Sequence, residues 1–161
     1  MYHYTIFILA SLLFVVISCG EEEVQPLEFA ELDENNVQLV RLRSAGNEML
    51  FDRDLIRVRP DLPVRIILIN SATMNVMKHN FLIVNSSSVE EVGQAALDAA
   101  ETGYVPDTPD VLLASELTDP GETIEFEFMP PEVGTYEFVC TYPGHYTTMR
   151  GMFLVEEEVE E

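Results

Sequence analysis

Soft metal donors are scarce in this chain, with two cysteines and three histidines among 161 residues. Basic residues are nearly as rare: eight Lys and Arg stand against 29 Asp and Glu, a formal net charge of -21. So few cations exclude a nucleic-acid binder, because phosphate contact needs a basic face. The bland reading of the acidity is solubility. A disulfide framework is excluded as well. One bridge would consume both Cys19 and Cys140, and each stands in a position with another use. The core must therefore hold the fold, and 47% hydrophobic residues can supply one. Neither an internal repeat nor a glycine-rich phosphate loop is present.

Residues 1–18, MYHYTIFILASLLFVVIS, contain no Asp, Glu, Lys or Arg. The run ends in Val16-Ile17-Ser18-Cys19-Gly20, which resembles a bacterial lipobox. In that motif the signal is cut before the cysteine, whose sulfur receives a diacylglyceryl group. The n-region lacks the usual Lys or Arg, and the alternative is an uncleaved membrane anchor, which needs roughly 20 apolar residues. Both readings export the domain to the periplasmic or cell-surface side and hold it on a membrane, through lipid at Cys19 in the first. The expected division is a signal peptide over 1–18, an acidic tether over 19–36, a folded domain over 37–155 and an acidic tail over 156–161. Glu21 to Glu23 and Glu156 to Glu158, with Glu160 and Glu161, read as solvated ends.

Between those ends, short runs rich in Val, Ile, Leu and Phe are separated by turn signals, which predicts an all-β sandwich. Residues 37–43, 55–59, 122–128 and 135–140 alternate apolar and polar, as half-buried strands do. Residues 64–70 read as a strand buried on both faces, 81–84 as a strand directly after His79, and 151–155 as the closing strand. Residues 88–103 break the pattern. Ser88 and Glu91 have capping-box spacing, Val89, Val92, Ala96 and Ala99 recur at helical intervals, and Gly103 suits a helix end. This short helix reads as structural cover over the strands.

The densest chemistry lies in Cys140-Thr-Tyr-Pro-Gly-His145-Tyr-Thr-Thr-Met149. Each donor alone is weak evidence, since a lone strand cysteine is usually a small buried hydrophobe. Together they place a thiolate, an imidazole and a thioether in ten residues, spaced C-x4-H-x3-M. Pro143-Gly144 turns the chain, so His145 returns toward Cys140. His3 lies in the expected signal peptide, which leaves His79 as the second imidazole. A thiolate, two imidazoles and a weak thioether suit a mononuclear copper that exchanges one electron.

With those residues in view, the chain resembles a cupredoxin of the azurin and auracyanin branch. Cys-Thr-Tyr-Pro-Gly-His-x3-Met is similar to the azurin ligand loop, and Asn75-Val-Met-Lys-His79-Asn80 to its first ligand segment, except at Lys78, where azurins have Gly. The resemblance covers roughly 37–155. It implies a Greek-key cupredoxin β-sandwich of about eight strands with one short helical insertion. It implies one type 1 copper per chain, held by His79, Cys140 and His145 in a plane and by Met149 axially. Lys78 would offer a backbone carbonyl to the metal, and a cation there would favour the reduced state. Asn80 and Thr141 would tie the ligand segments together. Val76, Met77, Tyr142, Pro143 and Gly144 would form a docking patch around a surface-reaching His145 edge.

The expected function is one-electron transfer between respiratory partners such as a cytochrome c, an oxidase or a reductase, by a monomer that is not an enzyme. Copper nitrite reductases and multicopper oxidases need more histidines than this chain has. The rival reading is a periplasmic copper carrier or chaperone, which Met74, Met77, Met149 and Met152 make conceivable. A metal-free adhesive sandwich would leave the ligand loop unexplained.

Overall fold

The computed structural model describes residues 28–158. The expected signal peptide, Cys19, Glu21 to Glu23 and the last acidic residues lie outside the described residues. Among the described residues, nine strands form two sheets: β1 (Glu31–Leu32), β2 (Gln38–Arg43), β3 (Leu55–Val58), β4 (Val64–Ile69), β5 (Leu82–Asn85), β6 (Val111–Ala114), β7 (Thr123–Phe128), β8 (Gly134–Val139) and β9 (Arg150–Val155). One sheet has the order β1-β2-β4-β7 and the other β3-β9-β8-β5-β6. The pairs β2–β4 and β3–β9 are parallel, and the others are antiparallel.

The alternating pattern places one side of every long strand in the gap between the sheets. Val40, Leu42, Ile66, Leu68, Phe81, Phe138 and Phe153 meet there, each at most 1% exposed. β4, expected to be buried on both faces, instead alternates buried and half-buried residues. Two strands were not legible in the sequence. β1 has two residues and forms only by pairing with β2, and β6 is a short apolar run without alternation.

Helix α1 (Val89–Ala95) starts after Ser88, as expected, but without a capping box. The Ser88 hydroxyl donates instead to the Asn85 carbonyl at 2.6 Å, a local bond that competes with the cap. Two 3-10 turns, Ala96–Asp98 and Ala100–Thr102, carry the chain on to Gly103, whose left-handed φ of 69° ends the run. Val89 and Val92 pack on Leu82, Val84 and Val139, with Tyr146 against the same cluster.

The ends of the described chain are exposed but held to the sandwich by ion pairs. Glu156 pairs with Arg57 and Glu158 with Arg59, each at 2.6 Å. Phe29 lies under both guanidinium groups, 4.0 and 4.6 Å from its ring centre. The Ala30 N–H donates to the Arg57 carbonyl at 2.8 Å. The segment read as a tether therefore packs on the sandwich from Phe29 onward.

Gln38 is a polar residue inside this frame, at 0% exposure. Its amide donates to the carbonyls of Arg59 and Leu62 at 3.0 and 3.1 Å, and its oxygen accepts the Arg59 N–H at 2.7 Å. It fixes the turn between β3 and β4. Gln38→Leu should cost about 2–4 kcal/mol by stranding those backbone groups. A lower urea midpoint at unchanged slope would register the loss, and an unmoved midpoint would deny Gln38 that role.

Candidate metal centre

Two strands deliver the donors to one end of the sandwich. β5 and β8 are hydrogen-bonded neighbours, with Leu82 opposite Val139. His79 therefore enters just before β5 at the level where Cys140 leaves β8. His79 is held by its backbone: its N–H donates to the Thr118 carbonyl at 3.2 Å and its carbonyl accepts the Thr118 N–H at 2.7 Å. Asn70, which the sequence reading passed over, braces the same place. Its amide donates to the carbonyls of Met77 and Thr118 at 2.8 and 3.0 Å. The available signal was one amide ending the apolar run of β4.

After Cys140 the chain turns tightly. The His145 N–H donates to the Tyr142 carbonyl at 2.9 Å, and the Met149 N–H to the His145 carbonyl at 2.8 Å. Gly144 sits at φ 85° with open space where a Cβ would lie, so backbone conformation alone calls for glycine there. The Cys140 N–H donates to the Met149 carbonyl at 2.9 Å, which closes the loop on itself.

The result is one cluster. The Cys140 Sγ lies 3.9 Å from His79 Nδ1 and 3.6 Å from His145 Nδ1, and the two Nδ1 atoms are 3.2 Å apart. His79 and Cys140 are 0% exposed and His145 is 2% exposed. Burial pushes the His79 pKa down to about 4, with repulsion from His145 adding to it, and burial lowers His145 as well. Burial pushes the Cys140 thiol up to about 12, while the backbone N–H groups of Asn80 and Tyr142 pull the other way. The protein alone thus keeps all three donors neutral, with the two Nδ1 atoms turned toward each other. A thiophilic cation resolves that arrangement by stabilising the thiolate.

Asn80 and Thr141 bind the two ligand segments directly. The Thr141 N–H donates to Asn80 Oδ1 at 2.8 Å, and Asn80 Nδ2 donates to Thr141 Oγ1 at 2.9 Å and to the Gly103 carbonyl at 3.0 Å. Thr141 Oγ1 donates onward to the Tyr104 carbonyl at 2.6 Å. Met149 is 0% exposed within the same loop.

His145 is 2% exposed, with the Tyr142 ring edge-on against its ring at 5.1 Å between centroids. Two expectations about the surroundings change. Met77 is buried at 9% exposure and belongs to the packing rather than to a docking patch, whereas Val76 is 62% exposed. Pro143 and Gly144 are exposed, and Tyr142 is half-buried. The Lys78 ammonium pairs with Asp119 Oδ1 at 2.6 Å, which raises its pKa and offsets its charge. Its field at the metal centre is correspondingly weakened.

Two packed sheets with a buried His-Cys-His cluster at one end define a mononuclear copper protein of the cupredoxin class. The chain belongs to the plastocyanin/azurin family of copper-binding proteins, whose model matches residues 38–156. Auracyanin-A of Chloroflexus aurantiacus is 28% identical over 152 residues, spanning 92% of this chain and 93% of that protein. Outer membrane protein H.8 of Neisseria meningitidis is 35% identical over 78 residues, 47% of this chain and 43% of that one. The crystal structure of dithionite-reduced auracyanin from Roseiflexus castenholzii superposes with a TM-score of 0.69 at 26% identity, covering 80% of this chain and 99% of that one.

The depressed imidazole pKa values set a pH dependence for the metal-free domain. An unfolded histidine takes up its proton near 6.5, whereas folded His79 resists until about 4. Stability is therefore complete above pH 6.5 and falls as the pH drops toward 4. His79 should contribute on the order of 3 kcal/mol to that loss. Urea titrations between pH 7 and 4 should show the fall, and His79→Leu should make it shallower. A flat profile would mean that the histidines are solvated.

Proposed function

We propose that this protein is a one-electron carrier with a single type 1 copper, serving respiratory partners at the outer face of a membrane. The observation that carries the reading is the neutral, buried His79, Cys140 and His145 cluster inside loops that hydrogen bonds hold rigid. A bound copper would supply the one-electron change, and the thiolate, imidazole and thioether types present suit both of its charge states. The protein's part is to hold the donors still and dry. The Asn80–Thr141 bonds limit movement of the two segments, which keeps reorganisation small when the charge at the site changes.

In this reading Met149 would offer its thioether to the copper as a weak donor. Its side chain is buried, and its backbone is hydrogen-bonded to both Cys140 and His145. The Lys78 backbone carbonyl would offer a further donor to the copper. A copper carrier must exchange its metal through accessible donors, and burial of all three donors here favours electron transfer. The partners are redox proteins such as a cytochrome c, an oxidase or a reductase, met by a monomer.

The outer-face location rests on the lipobox-like Val16 to Gly20 and on kinship with a protein named as an outer membrane protein. Lipid at Cys19 would attach the domain there, on the periplasmic or cell-surface side. Two or more acyl chains give stable attachment where one is marginal.

Two experiments test these points. Copper-loaded protein should show an intense visible absorption that Cys140→Ser abolishes. Met149→Leu should keep most of the colour and raise the reduction potential, since a donor that steadies the oxidised state is lost. Colour that survives Cys140→Ser would refute the ligand assignment. For the anchor, mass spectrometry of protein from its native membrane should find Cys19 acylated and N-terminal, and an intact Met1 would favour the uncleaved helix.

A further inference from the structure

One glycine in the helical insertion has no conformational reason to be there. Gly93 lies buried inside α1 with ordinary helical backbone, and an interior glycine costs a helix about 1 kcal/mol relative to alanine. Space explains it instead. A β-carbon at position 93 would overlap the Tyr146 ring, driven into Cγ and Cδ2 and only 2.6 Å from Cδ1. Carbon atoms rest about 3.5–4.0 Å apart, so ring or helix would have to retreat by roughly 1 Å or more. The ring is therefore seated on bare helix backbone. It also packs against Leu82, Val84, Val89, Val92 and Val139, and its hydroxyl donates to Glu90 Oε1 at 3.4 Å.

Tyr146 directly follows His145 and belongs to a stiff turn. The His145 N–H is held by the Tyr142 carbonyl at 2.9 Å, and the His145 carbonyl accepts the N–H groups of Thr148 and Met149 at 3.1 and 2.8 Å. Residues 145–149 thus move as one piece that carries both the imidazole and the thioether. Its last carbonyl receives the Cys140 N–H, so a displaced Tyr146 displaces donors as well as itself. The insertion reaches the start of the loop too, where the Gly103 and Tyr104 carbonyls take the bonds from Asn80 and Thr141. It touches the residue after Cys140 and the residue after His145.

We infer that the helical insertion is part of the scaffold of the metal centre: Gly93 seats Tyr146, and Tyr146 sets where His145 stands. This rests on the copper reading above. Both are positioning residues, acting on the donors through the chain. A ring pressed onto helix backbone leaves no side-chain slack at the contact. That limits the movement of the donors when the charge at the site changes.

The test is a cycle of Gly93→Ala, Tyr146→Ala and the double variant in the full-length protein. It is read by Cu(II) affinity, by the visible spectrum and, without metal, by the histidine ring resonances in NMR. Gly93→Ala should weaken Cu(II) binding severalfold and displace the visible band, and Tyr146→Ala should do the same. The double variant should match Tyr146→Ala alone, because the added methyl no longer meets a ring; such non-additivity marks a shared contact. Metal-free Gly93→Ala should show shifted His145 ring signals. Leu97→Ala, exposed in the same insertion, should alter none of these. Parental affinity and spectrum in Gly93→Ala, or effects that add in full in the double variant, would overturn the inference. If Gly93→Ala does not fold, the double variant should, and a parental Cu(II) affinity in Tyr146→Ala would overturn the inference by itself. Absence of the visible band from the parent protein would instead refute the copper reading, and the metal-free ring signals would then decide whether Gly93 positions His145.

Discussion

Asn80 and Thr141 face each other across two loops that are 61 residues apart in sequence, and their reciprocal hydrogen bonds convert those loops into one body. Most of the site's other properties depend on that join. His79 and Cys140 can be fully buried because their neighbours satisfy each other's polar groups, so no water is needed between the loops. With water excluded, desolvation keeps the imidazoles and the thiol uncharged. A cluster of neutral donors at close range is stable only while its members cannot drift apart. The same pair reaches out through Asn80 Nδ2 and Thr141 Oγ1 to residues 103 and 104, which ties the helical insertion to the centre.

Charge is arranged on a different principle. Six of the seven arginines fall between positions 41 and 65, on or beside β2, β3 and β4. Arg57 and Arg59 hold Glu156 and Glu158, and Arg65 meets Asp33, Glu125 and Glu127. Exposed pairs of this kind are worth about 0–1 kcal/mol each, so their effect is positional. They fasten the two ends of the described chain to the sandwich around Phe29. The sole lysine is likewise committed to Asp119. Little unbalanced positive charge is left near the metal centre.

The sequence exposed the strands that alternate and the donors that cluster, because both depend on short-range spacing. The β2, β3, β7 and β8 runs declare themselves through period-two alternation, and Cys140, His145 and Met149 through one loop. What stayed hidden depends on distant partners. β1 exists only through its pairing with β2, and Asn70 matters only because Met77 and Thr118 come to it. The end of Ser88's hydroxyl at Asn85 rather than in a cap was equally invisible. The ring contact between Tyr142 and His145, and that between Tyr142 and Tyr104, 38 residues earlier in the chain, were hidden in the same way. Spacing says nothing of such a contact.

The order of strands in the larger sheet also constrains when the protein can mature. β9 lies between β3 and β8, so the last of the described strands in chain order is also the one that joins the early part of that sheet to the late part. Parallel pairing of β3 with β9 closes a loop of nearly one hundred residues (Leu55 to Met152), and such distant closures make folding slow. Until β9 arrives, β8 has only β5 beside it, and the Cys140 N–H has no Met149 carbonyl to meet. The closed loop that carries Cys140, His145 and Met149 therefore forms only as β9 joins the sheet.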